Sequence, residues 1–333
     1  MDAVNTPHVS GPPPLPDLLA TAHVVSLPLV TRFRGVDHRE ALLFEGPEGW
    51  TEFSPFVEYD DPEAAVWLAA AIEFGWHPQP APLRARIPVN ATVPAVAPDD
   101  VPAVLARFDG CRTAKVKVAE RGQSLADDVA RVRAVRAGMG PEGRIRLDAN
   151  GGWNVDEAEH AVHALAGFDL EYLEQPCASV DELAQLRSRL HDWDIPVAAD
   201  ESVRKAADPL AVARSGAADI VVVKAQPLGG VHRALGIAAA GLPAVVSSAL
   251  DTSIGLSMGV ALAAALPDLP YDCGLGTASL LAADVTAQPL RPDAGSLPVG
   301  RVEPDPALLR EHAASADRRD WWLARLQRCH RLL

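Results

Sequence analysis

Ionisable side chains recur at the ends of short apolar runs in the central part of this 333-residue sequence. Six of them follow one another along the chain: Lys115, Lys117, Asp148, Glu174, Asp200 and Lys224. From Asp148 onward the successive steps are 26, 26 and 24 residues. A strand, a helix and two loops take roughly this many residues when eight such units share about 250 residues in a β/α barrel. The spacing therefore predicts that these side chains meet at the carboxyl ends of neighbouring barrel strands.

Three carboxylates brought together in this way would repel one another, and their pKa values would rise. A divalent cation removes that conflict, and a set of ligands that are all oxygen favours Mg²⁺ first and Mn²⁺ second. We therefore predict that Asp148, Glu174 and Asp200 bind a metal ion. The alternative is that each carboxylate caps a helix or pairs with an arginine.

Lysines stand on both sides of the predicted metal site. Lys115 and Lys117 are two residues apart, so in a strand both side chains point the same way, into the barrel. A lysine that is beside other cations and partly removed from water has a lowered pKa and can act as a base. With Lys224 facing Lys117, the arrangement suits removal of a proton from the carbon next to a carboxylate. The alternative is a salt-bridge network with no catalytic role.

From Arg86 onward, strand-like and helix-like segments alternate, which is typical of an α/β fold with a parallel sheet. Continuous apolar runs such as residues 220–223 fit strands that are buried on both faces. We expect strands at 87–93, 113–118, 243–247 and 271–275. Four further strands are the apolar runs that end at Asp148, Glu174, Asp200 and Lys224. We expect helices at 99–108, 231–240 and 254–266, and one that starts near Ser124. Three more helices are expected from their caps, which are Asn154 with Glu157, Ser179 with Glu182, and Asp208-Pro209.

We expect the chain to divide into four parts: a mobile, Pro-rich leader (1–20), an α+β domain (21–85), a β/α barrel of seven or eight units (86–284) and a C-terminal segment (285–333). The α+β domain is expected to contain strands at 23–30 and 41–45, a basic loop at 31–39 and a helix from Asp61 to Phe74. The C-terminal segment ends in an amphipathic pattern over 306–333. We expect this helix to pack back on the α+β domain.

A net charge of −14 argues against nucleic acid or an anionic membrane as a partner, because both attract clustered Lys and Arg. The four cysteines form no Cys-x-x-Cys pair, so we expect reduced thiols. The N-terminus does not resemble a signal peptide, and the longest apolar stretch, 255–267, is too short to cross a bilayer. These features predict a cytoplasmic protein. They leave open whether it is a monomer or a homo-oligomer.

The residues that carry the predicted chemistry resemble the enolase superfamily. The phrases Lys-Val-Lys, Leu-Asp-Ala-Asn, Glu-Gln-Pro, Ala-Asp-Glu-Ser and Val-Val-Lys occur in this order. The lysines on the second and sixth strands resemble the muconate-lactonising subgroup. Ser247 and Ser248, rather than a histidine, end the seventh strand, which argues against the subgroup that uses a histidine base. Within the subgroup, the phrases Phe33-Arg34-Gly35, residues 89–94 and residues 274–277 are most similar to the o-succinylbenzoate synthase family of menaquinone biosynthesis.

This resemblance implies a modified β/α barrel with an N-terminal capping domain, and a syn dehydration of 2-succinyl-6-hydroxy-2,4-cyclohexadiene-1-carboxylate. Lys117 would remove the α-proton and then protonate the departing hydroxide, and Lys224 would stabilise the enediolate. The metal ligands would be the three carboxylates already named. Candidate substrate contacts are Lys115, Arg146, Asn150, Ser247 and Ser248, although a serine at the end of the seventh strand can also serve packing or helix capping. Arg32 and Arg34 either offer charge to a substrate carboxylate or form a solvated face.

Other functions fit parts of the same pattern. Racemisation of N-succinylamino acids and epimerisation of dipeptides begin with the same proton abstraction, and muconate cycloisomerisation uses similar groups. A catalytically silent metal-binding scaffold is the alternative of a different class. The two intact lysines argue against the scaffold.

Overall fold

The computed structural model describes residues 11–204, 211–239 and 241–333. The predicted Asp208-Pro209 cap lies outside these residues. The strands are β1 (His23–Phe33), β2 (Val36–Gly46), β3 (Gly49–Phe53), β4 (Arg86–Pro88), β5 (Ala91–Val93), β6 (Thr113–Lys117), β7 (Arg144–Asp148), β8 (Leu170–Glu174), β9 (Val197–Ala199), β10 (Ile220–Val223), β11 (Ala244–Val246) and β12 (Ser296–Pro298). The helices are α1 (Leu15–Ala20), α2 (Asp61–Trp76), α3 (Val101–Leu105), α4 (Leu125–Met139), α5 (Val155–Leu165), α6 (Val180–Arg189), α7 (Glu201–Arg204), α8 (Ala211–Ser215), α9 (Val231–Ala238), α10 (Ser253–Ala265), α11 (Pro306–Glu311) and α12 (Ala316–His330).

The barrel wall is a parallel sheet in which β5 to β11 pair in sequence order. The ring closes through residues 272–274, which make parallel bridges to both ends of the sheet. Cys273 bridges to Val89 on one side, and Gly274 bridges to Ser247 on the other. The predicted fold class, a modified β/α barrel with an N-terminal domain, is thus confirmed. The closure is an eighth strand-like segment rather than a regular strand.

Strand pleating decides which side chains face the barrel interior. On β10, Val221 and Val223 belong to the large core between the strands and the outer helices. Ile220 and Val222 instead pack inside the barrel with Tyr172 and Val245. The same alternation on β6 and β7 sends the charged residues inward and the apolar residues between them outward, and on β8 it places Glu174 inward and Leu173 outward.

Helix caps were among the features that the sequence predicted well. Asn154 and Glu157 form a reciprocal capping box at the start of α5, and Ser179 and Glu182 form another at α6. Each box satisfies backbone N–H groups that a helix start leaves without a partner. These caps fix where the chain turns from each strand into the following helix.

Several predicted boundaries were wrong. The expected basic loop at 31–39 is mostly strand, because β1 and β2 form one long hairpin that turns at Arg34 and Gly35, both at positive φ. β3, which pairs with β2, was missed. The expected first barrel strand is two short strands. β4 pairs antiparallel with β12, and only β5 joins the barrel.

The first and the last described segments of the chain both pack on the N-terminal domain. Residues 15–20, expected as part of a mobile leader, form helix α1 and bury Leu18. The expected single helix over 306–333 is two helices, because Ala313 bridges to Val25 between them and Ser315 caps a new helix. Helix α12 packs Trp322 and its neighbours into one core with residues of α2. None of the helices in the described ranges is long and apolar enough to cross a membrane.

Candidate active site at the barrel mouth

The ionisable side chains predicted from their spacing meet at the carboxyl end of the barrel. Lys117, Asp148 and Glu174 are register partners on β6, β7 and β8. The Lys117 Nζ lies 2.6 Å from the Asp148 Oδ2, and the Lys224 Nζ lies 2.6 Å from the Asp200 Oδ2. The Lys115 Nζ lies 2.7 Å from the Glu174 Oε1 and 3.0 Å from the Asp148 Oδ2. One ammonium group therefore bridges two of the three carboxylates.

The side chain of Gln175 links the ends of two neighbouring strands. Gln175 is buried, and its Oε1 accepts hydrogen bonds from the backbone N–H groups of Asp200 and Ser202. Its Nε2 donates to the Ser202 Oγ. Gln175 thus ties the end of β8 to the end of β9. Sequence reasoning used this residue only as part of a motif and gave it no role.

Burial and neighbouring charges shift the pKa values of the two lysines on β6 in opposite directions. Burial lowers the pKa of Lys117, only partly offset by the nearby Asp148. Burial also disfavours the charge on Lys115, but Asp148 and Glu174 together hold the pKa of Lys115 well above its usual value. Burial, reinforced by the negative charge of Asp148, raises the pKa of Glu174 to about 7. One lysine is therefore held as a cation while its neighbour can lose its proton more easily.

The carboxylates fit a hard metal ion by their chemistry, although the arrangement of side chains is not that of a metal complex. Among the described residues, no three His, Cys, Asp or Glu side chains form a ready metal-binding group. Here the lysine ammonium groups engage the carboxylate oxygens instead. The Glu174 Oε2 is buried without a hydrogen-bond partner, and the raised pKa of that residue indicates negative charge that is poorly compensated. An oxygen-only donor set with an uncompensated oxygen suits a hard divalent cation.

A small cavity of about 40 Å³ lies above the lysines. The N-terminal domain contributes Phe33, Arg34 and Phe56 to its wall, and the loop after β11 contributes residues 247–250. A larger cavity of about 470 Å³ lies beside it, under the tip of the β1–β2 hairpin. Both cavities are lined by Phe33, Arg34, Lys117 and Asn150. The N-terminal domain therefore forms part of the site rather than a separate unit.

The candidate substrate contacts divide between the cavity and the layer beneath it. Lys115, Asn150, Ser247 and Ser248 line the small cavity, and the Asn150 Oδ1 accepts a hydrogen bond of 2.6 Å from Lys117. Arg146 does not line it. Its guanidinium lies deeper in the barrel, where it donates to Glu171, Asn90 and the Asp272 carbonyl.

Several cavity residues were not predicted, namely Phe33, Phe56, Thr92, Glu201, Ala249, Leu250, Gly274 and Thr277. Thr92 lies within the first predicted barrel strand and Thr277 just after the last one, so their positions were available as a signal. Phe56 and Leu250 are apolar residues in loops, and nothing in the local pattern distinguishes them from core residues. Arg32 and Arg34 are exposed and line the larger cavity, and Arg34 lies over the Phe56 ring at 4.1 Å.

Two family models and several relatives match this chain. The family described as "Enolase C-terminal domain-like" matches residues 101–304, and "Enolase N-terminal domain-like" matches residues 24–75. The chain is 57% identical over 326 residues to the o-succinylbenzoate synthase of Mycolicibacterium smegmatis, covering 97% of this chain and 99% of that protein. It is 56% identical over 323 residues to the o-succinylbenzoate synthase of Mycobacterium leprae, covering 96% and 95%.

Solved structures show the same fold at much lower identity. The muconate lactonizing enzyme from Pseudomonas putida superposes with a TM-score of 0.72 at 18% identity, covering 88% of this chain and 98% of that one. The N-succinyl Arg/Lys racemase from Bacillus cereus gives a TM-score of 0.71 at 20% identity, covering 88% and 97%. At these identities the two structures inform on the fold alone.

Proposed function

The chain belongs to the enolase superfamily and, within it, to the o-succinylbenzoate synthase family, and from that premise we propose how its own residues carry out the reaction. The reaction is the syn dehydration of 2-succinyl-6-hydroxy-2,4-cyclohexadiene-1-carboxylate to 2-succinylbenzoate in menaquinone biosynthesis. The observation that carries the proposal is the placement of Lys117 and Lys224, each of which forms an ion pair with a different carboxylate at the barrel mouth.

Lys117 acts as the base and then as the acid. Burial lowers its pKa, which favours the neutral amine that can accept a proton. The substrate C–H bond next to the carboxylate breaks, the proton moves to the Nζ, and the electron pair enters the enediolate. When the C–O bond then breaks, the Lys117 ammonium returns the proton to the leaving hydroxide. The products are water and the aromatic acid, and the lysine is regenerated.

Lys224 and Lys115 supply fixed positive charge. Lys224 lines the cavity and donates a hydrogen bond to Asp200, so its ammonium group faces the negative charge that develops on the enediolate. Lys115 is held as a cation between Asp148 and Glu174, and it keeps those two carboxylates close together. Asn150 orients the Lys117 amine through its 2.6 Å hydrogen bond.

We assign the metal site to Asp148, Glu174 and Asp200, with Mg²⁺ as the ion and Mn²⁺ as a substitute. When bound, the ion stabilises negative charge on the oxygens of the substrate carboxylate. The small cavity is too tight for the whole substrate, so we place the remainder of the molecule in the larger cavity beside Arg32 and Arg34. We place the enzyme in the cytoplasm, a reducing compartment that suits its four free cysteines.

The experiment that tests this function is a dehydration assay that follows loss of the cyclohexadiene by ultraviolet absorbance. We expect turnover with Mg²⁺, loss of turnover with excess chelator and recovery when Mg²⁺ is restored. Turnover that survives chelation would contradict the metal assignment. In a parallel reaction in D₂O, deuterium wash-in at the α-carbon of an N-succinylamino acid without dehydration of the cyclohexadiene would favour racemisation instead.

A further inference from the structure

A buried arginine of the N-terminal domain reaches into the loop that walls the small cavity. Arg39 on β2 is only 3% exposed. Its Nε donates to the Leu250 carbonyl at 3.0 Å, and its Nη2 approaches the Ala249 carbonyl at 3.4 Å. Ala249 and Leu250 both line the cavity that contains the two lysines. The N-terminal domain therefore contacts the backbone of the active-site loop directly.

Arg39 is itself held firmly by its own domain. Its Nη2 donates to both the carbonyl and the Oγ of Ser54, and its Nη1 donates to the Glu40 carbonyl at 3.2 Å. The guanidinium lies over the Phe56 ring at 4.5 Å. A planar group with fixed donors on several edges can join two backbone segments in one geometry, whereas a lysine ammonium has three donors on a flexible stem and no fixed plane.

The loop that Arg39 contacts has a conformation that needs such support. Leu250 has a φ of +64°, in the left-handed region that branched side chains rarely adopt. On the other side of the loop, Glu52 accepts hydrogen bonds from the N–H groups of Thr252 and Gly255, each at 3.1 Å. The strained residue is thus held between two buried groups of the N-terminal domain.

Charge gives a second reason for the contact. Asp251 follows Leu250 directly, is 5% exposed and has an Oδ1 with no hydrogen-bond partner. Arg39 is a nearby cation that compensates this buried carboxylate. Removal of Arg39 would leave this buried carboxylate with less compensating charge, which favours movement of Asp251 and its neighbours Ala249 and Leu250 toward water.

We propose that Arg39 is a positioning residue for the dehydration: it fixes the backbone of Ala249 and Leu250 and so sets the wall of the small cavity against which the substrate binds. This inference rests on the proposed function. Because the loop contacts the bound substrate rather than the proton that moves, loss of Arg39 weakens substrate binding more than it slows the chemical step.

The test compares Arg39→Lys with Arg84→Lys. Arg84 also donates to backbone carbonyls of the same chain segment, but at the far end of α10, to Ala263, Leu266 and Pro267. We expect Arg39→Lys to raise KM about tenfold or more with kcat within about threefold of wild type. Arg84→Lys should leave both constants unchanged. An unchanged KM in folded Arg39→Lys, or an equal rise in Arg84→Lys, would overturn the proposal.

Hydrogen exchange of the loop separates this inference from the proposed function, because it needs no substrate. We expect faster exchange in residues 247–252 of Arg39→Lys and wild-type exchange there in Arg84→Lys. Equal exchange in all three proteins would count against the positioning role even if the enzyme had another substrate. If Arg39→Lys does not fold, Ser54→Ala removes one acceptor of the guanidinium and should shift KM and exchange in the same direction by less; no shift in folded Ser54→Ala would reject the proposal.

Discussion

The barrel interior holds two charged layers, one at the mouth and one about two residues deeper. At the mouth, lysines pair with carboxylates beside a cavity. In the deeper layer, Arg146 donates to Glu171, Asn90 and the Asp272 carbonyl and lies over the Tyr172 ring at 4.7 Å. Both layers are buried and ionic, but the upper one opens to the small cavity, which Arg146 does not line.

The chemical difference between the layers is the type of cation. An arginine stays charged and forms fixed, planar hydrogen bonds, whereas a lysine changes its pKa readily when it is buried. The pKa of Lys117 is lowered by burial, and the pKa of Glu174 is raised to about 7. Buried charge alone therefore does not indicate catalysis. We assign catalysis to the mouth because its titratable lysine lies next to a cavity.

The largest expected effect is loss of turnover when either lysine at the mouth is removed. We expect Lys117→Ala and Lys224→Ala to lower kcat by roughly a thousandfold or more, because each removes a group that acts on the reacting atoms. Steady-state dehydration is the measurement, with circular dichroism to show that the fold is retained. The exposed Arg112→Ala serves as a control. Near-normal turnover in either variant would remove that lysine from the mechanism.

The deeper layer should give the opposite result. Arg146→Met leaves Glu171 without its buried partner, so we expect the free energy of unfolding to fall by about 3 kcal/mol. Urea denaturation measures this loss. At a low temperature at which Arg146→Met remains folded, its kcat should stay within about tenfold of wild type, because Arg146 does not line the cavity. A stable but inactive Arg146→Met would place the deeper layer in the mechanism and break the comparison.

A smaller, pH-dependent effect is expected where the N-terminal domain meets the mouth. Burial, reinforced by Asp251, raises the pKa of Glu52 to about 7 from 4.5. The folded state holds this proton more tightly than the unfolded state, so the contribution to stability is complete below pH 4.5 and is lost as the pH rises through 7.

Glu52→Gln removes the ionisation, so its unfolding free energy should vary less between pH 4.5 and pH 7 than that of wild type. Urea denaturation across this range is the measurement. The exposed Glu48→Gln, a matched change four residues earlier, should keep the wild-type slope. Parallel curves for all three proteins would show that Glu52 is ionised normally in the fold.

The sequence located the mouth better than its surroundings, for a physical reason. The lysines and carboxylates at the mouth end apolar strands at a regular interval, and strand pleating then points them inward without further information. The Leu250 loop and the split between β4 and β5 depend on contacts with segments far away in the chain, namely Arg39 and β12. A local sequence pattern cannot indicate contacts with such distant segments. The same limit explains why Arg146, two residues before Asp148, looked equally suited to touch the substrate.

The most direct test of the account is the dehydration rate of Lys117→Arg in the presence of Mg²⁺. This change keeps the positive charge beside Asp148 but replaces an amine that can lose its proton with a guanidinium that cannot. We predict a folded protein that still binds 2-succinylbenzoate and shows no measurable turnover. Turnover close to that of wild type would mean that Lys117 contributes only charge and that the proton is removed by another group.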